Sequence, residues 1–252
     1  MSQLSPPGAP WFAYTPPKPS ARVRLFCLPY AGGSAAIYRA WVGAAPPEIE
    51  LVPIELPGRG RRFAEPAYTR MHALVASLAQ AIGPLAQQPF ALFGHSMGAL
   101  IGFELARWLQ HSGPAMPVRL FVSGCSAPQL PPTRVIHDLP DAAFVSELRR
   151  LNGTPAEVFA NAELMQLVAP LLRADFELCE TYACAAAPPL VCPISAFGGQ
   201  ADSEATPERM EQWRAQTAAP FVLRGLPGDH FFLNDARDLL LRAIAQDLGL
   251  AR

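Results

Sequence analysis

Along the chain, short and nearly continuous apolar runs alternate with longer stretches in which apolar residues recur every three or four positions. The runs cover residues 24–28, 50–56, 90–93, 119–122, 191–197 and 221–223 and give way to Gly or Pro clusters. Short apolar runs bounded by turn signals read as strands covered on both faces. Between the first five lie helix-spaced segments at 35–44, 71–85 and 99–110. After Arg237 the sequence DLLLRAIAQDLGL gives a closing amphipathic helix. Alternation of this kind predicts an α/β fold, a parallel sheet with helices on both faces. No repeat at a fixed period is visible.

The rhythm breaks once. From about Ser126 to Pro189 there is no strand pattern, only helical ones such as DAAFVSELRRL and AELMQLVAPLLRADFELCETYA. Lying between two sheet strands, this stretch reads as an inserted helical subdomain over 126–189, with Pro-rich joints APQLPPTR and AAAPPL at its ends. The core is then 21–125 together with 190–252, and the Pro-rich segment 1–20 is expected to be an extended, flexible lead-in. A helical insertion above a sheet is placed to act as a lid over a site; plain structural decoration is the alternative.

Composition narrows the function classes. Half of the 252 residues are hydrophobic and 16% are charged, which excludes a disordered chain. A net charge of −1 gives no basic footprint for nucleic acid. No apolar run approaches the roughly 20 residues that span a bilayer, so no membrane partner is expected. The N-terminus has neither the basic nor the apolar region of a secretory signal. The five cysteines, Cys27, Cys125, Cys179, Cys184 and Cys192, are odd in number and irregularly spaced, which favours reduced thiols and a cytoplasmic protein. With no CxxC pair and no His cluster at ligand spacing, a metal has no support.

The chemistry starts at Gly94-His95-Ser96-Met97-Gly98, a G-x-S-x-G between a strand and a helix. That context fits a nucleophile elbow, a turn so tight that the residues two before and two after the serine must be tiny. The helix beginning at Ser96 turns its amides and dipole toward developing negative charge. A serine hydroxyl needs a base and an orienting acid, which in this architecture follow in the order acid, then His. Of the five histidines, His72 and His111 lie in or beside helices, His95 is inside the elbow pointing away from the hydroxyl, and His137 is in the insertion. Only His230, in LPGDHFFL, follows the last strand, so it is the expected base. Asp202 follows the penultimate strand and is the expected acid, with Glu204 and Asp229 as rivals. The expected oxyanion donors are the backbone N–H of Met97 and, from the Gly-rich loop Pro29-Tyr30-Ala31-Gly32-Gly33-Ser34, that of Ala31.

These residues carry a resemblance. From about Arg24 the chain resembles the α/β-hydrolase fold and, more narrowly, the stand-alone type II thioesterases that accompany modular polyketide and nonribosomal peptide synthetases. LPYAGGSAAIYRAW, IELPGRGRRFAEP, PFALFGHSMGALIGFELAR, LFVSGCSAP and GDHFFL recur in the same order. The resemblance implies the triad Ser96, Asp202 and His230, the donors Ala31 and Met97, and no cofactor. It also implies an editing reaction, in which acyl groups are hydrolysed from the phosphopantetheine arm of an acyl or peptidyl carrier protein. Two positions depart from the family pattern: Gly199-Gln200-Ala201-Asp202 stands where G-D-x-D is frequent, and Asp229 stands where glycine is common.

Carrier proteins are generally acidic, so Arg59, Arg61 and Arg62 in GRGRR form a candidate basic rim; an ordinary solvated loop is the alternative. Phe144, Phe159, Phe176 and Tyr182 of the insertion are candidates to line an acyl pocket or to pack a core. A carboxylesterase or lipase, an acyltransferase, and a non-catalytic relative that binds a ligand remain as other readings of the same residues.

Overall fold

The structure, a computed structural model, describes residues 11–13, 18–113 and 115–250. Its sheet has six strands: β1 (Val23–Leu28), β2 (Ile49–Pro53), β3 (Phe90–His95), β4 (Arg119–Ser123), β5 (Ile194–Gly199) and β6 (Phe221–Leu226). They lie in the order β2-β1-β3-β4-β5-β6, and every neighbouring pair is parallel. Alternate side chains serve opposite faces, as the two-residue period requires. Phe26 and Leu28 join a core with Leu92, Leu120 and Val122, whereas Leu25 and Cys27 join one with Ala91, Phe93 and Phe121. Helices α2 (Met71–Ile82) and α3 (Met97–Ser112) cover the first face. On the second face lie α1 (Arg39–Ala44) and, from the C-terminal end, α8 (Phe232–Asp235) and α9 (Arg237–Asp247).

The strand order positions the site. From β1 the chain goes to β2 on one side and then to β3 on the other, so the loops leaving β1 and β3 part at the sheet's C-terminal edge. A crevice opens at such a switch point. The loop after β1 carries Ala31, and the turn after β3 carries Ser96.

Between β4 and β5 lie α4 (Asp141–Leu151), α5 (Ala156–Ala160) and α6 (Ala162–Glu180). They share a small core of Ile136, Phe144, Leu148 and Leu172. The long α6 is capped by Asn161, whose side chain accepts from the Glu163 and Leu164 N–H groups, and it tolerates Pro170 in its interior. A short α7 (Pro207–Glu211) follows β5.

Several expectations change in detail. Segment 35–44 is a 3-10 turn, Ala35–Tyr38, followed by the short α1. Strand β5 starts at Ile194 rather than 191, because Pro193 has no N–H for the ladder; Val191 is left exposed. The lead-in is not uniformly extended and free. Trp11 is buried, Phe12 bridges Ile54 in antiparallel fashion, and the Ala13 N–H donates to Pro53 O. Two adjacent aromatics bury enough apolar surface to hold that stretch down. The rest of the expectation for 1–20, over 1–10 and 14–17, lies outside the described residues.

Candidate active site

Ser96 caps α3 with φ 52° and ψ −117°, a left-handed φ that a non-glycine residue rarely adopts. The strain is sustained by surroundings with no slack. A Cβ on Gly94 would lie 2.0 Å from Gly98 O, and one on Gly98 would lie 2.3 Å from Leu28 O. The Ser96 N–H donates to Ser123 O at 2.8 Å, which ties the turn to the end of β4. Met97 is the first residue of α3, so its N–H belongs to the group of helix-end amides with no intrahelical acceptor.

His230 and Asp202 are joined directly. His230 Nδ1 and Asp202 Oδ2 are 2.8 Å apart, and the carboxylate is buried. Its Oδ1 accepts from the Glu204 and Ala205 N–H groups at 2.8 and 3.2 Å. Burial alone would raise the Asp202 pKa. The hydrogen bond and charge of His230, with the two amides, outweigh it and hold the carboxyl below its usual value. The rivals are engaged elsewhere: Asp229 Oδ1 accepts from the Phe231 N–H, and Glu204 pairs with Arg150 at 2.6 Å.

A lowered native pKa means that the folded state holds fewer protons than the unfolded chain in the acid range, so stability rises with pH there. The contribution of the Asp202 carboxylate is complete above the unfolded value of about 3.9 and is lost as pH falls through the lower folded value. The gap in Tm between the wild type and Asp202→Asn is therefore expected to shrink below about pH 4. A gap that stays constant down to pH 3 would contradict this.

Ser96 and His230 together line two adjoining cavities of about 200 and 150 Å³. No hydrogen bond joins the two side chains among the described residues; such contacts commonly tighten only with substrate in place. The smaller cavity also has Tyr30, Ala31, Leu172 and Phe231 in its wall, so the expected oxyanion loop borders the serine. The larger contains Cys125 and Cys179. Burial pushes the Cys125 thiol up to about 12 and raises that of Cys179 as well, so neither thiolate is populated enough at neutral pH to compete as a nucleophile.

His95 is fully buried, with Nδ1 2.8 Å from Ser123 Oγ and its ring 5.1 Å from that of His230. Burial, then the nearby His230, drive its pKa far down, so it stays neutral. His72 and His111 are exposed on α2 and α3, and His137 Nδ1 bonds Glu180 inside the insertion.

The basic rim is corrected. Arg59 and Arg62 are buried; of the three arginines, Arg61 alone is exposed. Arg62 forks onto Glu65, donates to Glu55 O and lies 4.1 Å over the Trp11 ring. Arg59 forks onto Asp175 of α6 at 2.7 and 2.8 Å. A guanidinium reaches such interior carboxylates readily because its planar fork matches them. The aromatic candidates divide: Phe176 and Tyr182 line the larger cavity, whereas Phe144 and Phe159 pack the insertion's own core. Sequence reasoning missed Asp175, whose one signal was an acid three residues from both Leu172 and Leu178, on the apolar side of the helical pattern LLRADFEL.

A parallel sheet with a serine elbow at its switch point and an Asp–His pair on the following loops defines a hydrolase of the α/β-hydrolase fold. The thioesterase domain model matches residues 23–248, and the chain belongs to the thioesterase family: it is an enzyme that hydrolyses thioesters. It is 42% identical to the thioesterase RedJ of the prodiginine biosynthetic pathway of Streptomyces coelicolor, with a TM-score of 0.86 over 93% of each chain. To YbtT, a type II thioesterase from the yersiniabactin pathway, it is 32% identical, with a TM-score of 0.85 over 92% of this chain and 95% of that one. Linear gramicidin dehydrogenase LgrE of Brevibacillus parabrevis is 47% identical over 232 residues, 90% of this chain and 88% of the relative. That name denotes a redox enzyme. The loop after β1 in the present chain has no G-x-G-x-x-G to seat a dinucleotide, and the family match decides for thioester hydrolysis. Among the described residues, no helix is long and apolar enough to cross a membrane.

Proposed function

We propose that this enzyme removes acyl groups from the phosphopantetheine arm of acyl or peptidyl carrier proteins, editing polyketide or nonribosomal peptide synthetases through an acyl-Ser96 intermediate. Ser96 Oγ attacks the thioester carbonyl as His230 Nε2 takes its proton. Asp202, bonded to Nδ1, keeps the imidazole in that tautomer and stabilises the imidazolium. The backbone N–H groups of Ala31 and Met97 receive the oxyanion. The C–S bond breaks as the imidazolium protonates the departing thiol, and water activated by the same ring then releases the acid. These steps draw on no metal or cofactor.

The observation that carries the reading is the Asp202–His230 hydrogen bond, set in the wall of the same cavities as an elbow serine. The insertion 126–189 supplies much of the lining of the larger cavity, as a lid would, and we place the reaction in the cytoplasm, where carrier proteins work. Intact-mass spectrometry of an acylated carrier protein tests the substrate class. The carrier is expected to lose its acyl mass at an enzyme concentration that leaves a simple ester of the same acyl group largely intact. Faster turnover of the free ester would make the protein a carboxylesterase.

A further inference from the structure

Helix α6 reaches beyond the cavities to the loop after β1. Asp175 Oδ2 accepts from the Gly32 N–H at 2.7 Å, and Arg59 Nη1 donates to Gly33 O at 3.2 Å. One turn earlier on α6, Leu172 packs so closely on Gly32 that a Cβ there would lie 2.5 Å from Leu172 Cδ2. Gly32 itself has φ 75°. The loop is already a turn, closed by the Gly33 N–H on Tyr30 O at 2.9 Å. Thus a donor and an acceptor from adjacent residues of the turn are held by the two halves of one buried ion pair. Arg59 is 5% exposed and Asp175 2%.

We infer that Arg59 and Asp175 are positioning residues for the reaction: their ion pair latches the insertion to the oxyanion loop and fixes the Ala31 N–H in its donating orientation. The arrangement also answers an electrostatic problem. A carboxylate bonded to Gly32 sits beside the place where negative charge develops on the substrate, and it would oppose that charge. The bidentate guanidinium neutralises it while leaving one lone pair for the amide. Helix α6 is therefore part of the catalytic framework and not only a cover.

The inference rests on Ala31 as an oxyanion donor. Its readout is acetylation of Ser96 by 4-nitrophenyl acetate, which needs that donor but no carrier protein, so failure of the carrier-protein reading leaves it intact. Asp175→Asn and the apolar pair R59M/D175L are compared with wild type in Tm, in acetylation rate and in apparent ester affinity. The single variant should lose Tm, because it strands a buried guanidinium, and the apolar pair should recover it. The acetylation rate is expected to stay at least about tenfold down in both, with ester affinity within about twofold, because neither restores the charge-balanced acceptor for Gly32. A double variant that regains the rate along with Tm would show the pair to be merely structural and would overturn the inference. Should the double variant stay unstable, Asp175→Asn assayed well below its own Tm decides, and a rate within twofold of wild type overturns the inference equally.

Discussion

Replacing Ser96 by Ala is expected to lower kcat by about 10⁶-fold, the scale seen when the nucleophile of a serine hydrolase triad is removed. The variant loses one oxygen from a half-buried position, and the fold keeps its tight contacts at Gly94 and Gly98, so Tm is expected within a few degrees of wild type. Relief of the left-handed φ is not on offer, since Ala needs the same backbone angle. KM should change little, because the hydroxyl acts in the transition state and adds little to ground-state binding. Steady-state kinetics on an acyl thioester check this, and activity within tenfold of wild type would remove Ser96 from the mechanism.

Replacing Asp202 by Asn is expected to cost about 10⁴-fold in kcat, again with KM nearly unchanged. The reason lies in the two backbone amides. Glu204 N–H and Ala205 N–H both point at Oδ1 and require an acceptor there. The carboxamide oxygen must take that position, which turns the NH₂ group toward His230 Nδ1. The imidazole then has to accept at Nδ1 and carry its proton on Nε2, the nitrogen that should take the serine proton. The base is thereby held in the wrong tautomer. Parallel assays of Glu204→Gln and Asp229→Asn test the assignment, since those carboxylates bond Arg150 and the Phe231 amide instead. A loss at either of them equal to that of Asp202→Asn would move the acid.

The strands were legible because each begins as a short apolar run, clearest in β3, where all six residues are buried; β6 was read from its first three residues although most of the strand is only partly buried. The elbow was legible because its requirement is local: glycines two residues either side of a serine. His230 followed from chain order alone. What escaped was long-range and polar. GRGRR reads as a solvated loop until Asp175, 116 residues from Arg59, is brought against it. A guanidinium and its carboxylate carry no periodicity that marks them as partners. Phe144 and Phe159 stayed open between pocket and core for a related reason: helical spacing says that an apolar face is buried, not whether a cavity or another helix buries it, and the structure packs both in the insertion's core. Trp11 and Phe12 were lost among prolines that favour an extended chain, although their own apolar area holds them down.

The most direct test of the account is to find where the acyl group goes. Wild-type enzyme is mixed with an acyl thioester, quenched in acid within its first turnovers, digested and mapped by mass spectrometry. The acyl mass is expected on the peptide containing Ser96 and to disappear on longer incubation as free acid accumulates. Acylation of a peptide containing Cys125 or Cys179, the thiols in the wall of the same cavity, with Ser96 unmodified, would contradict it.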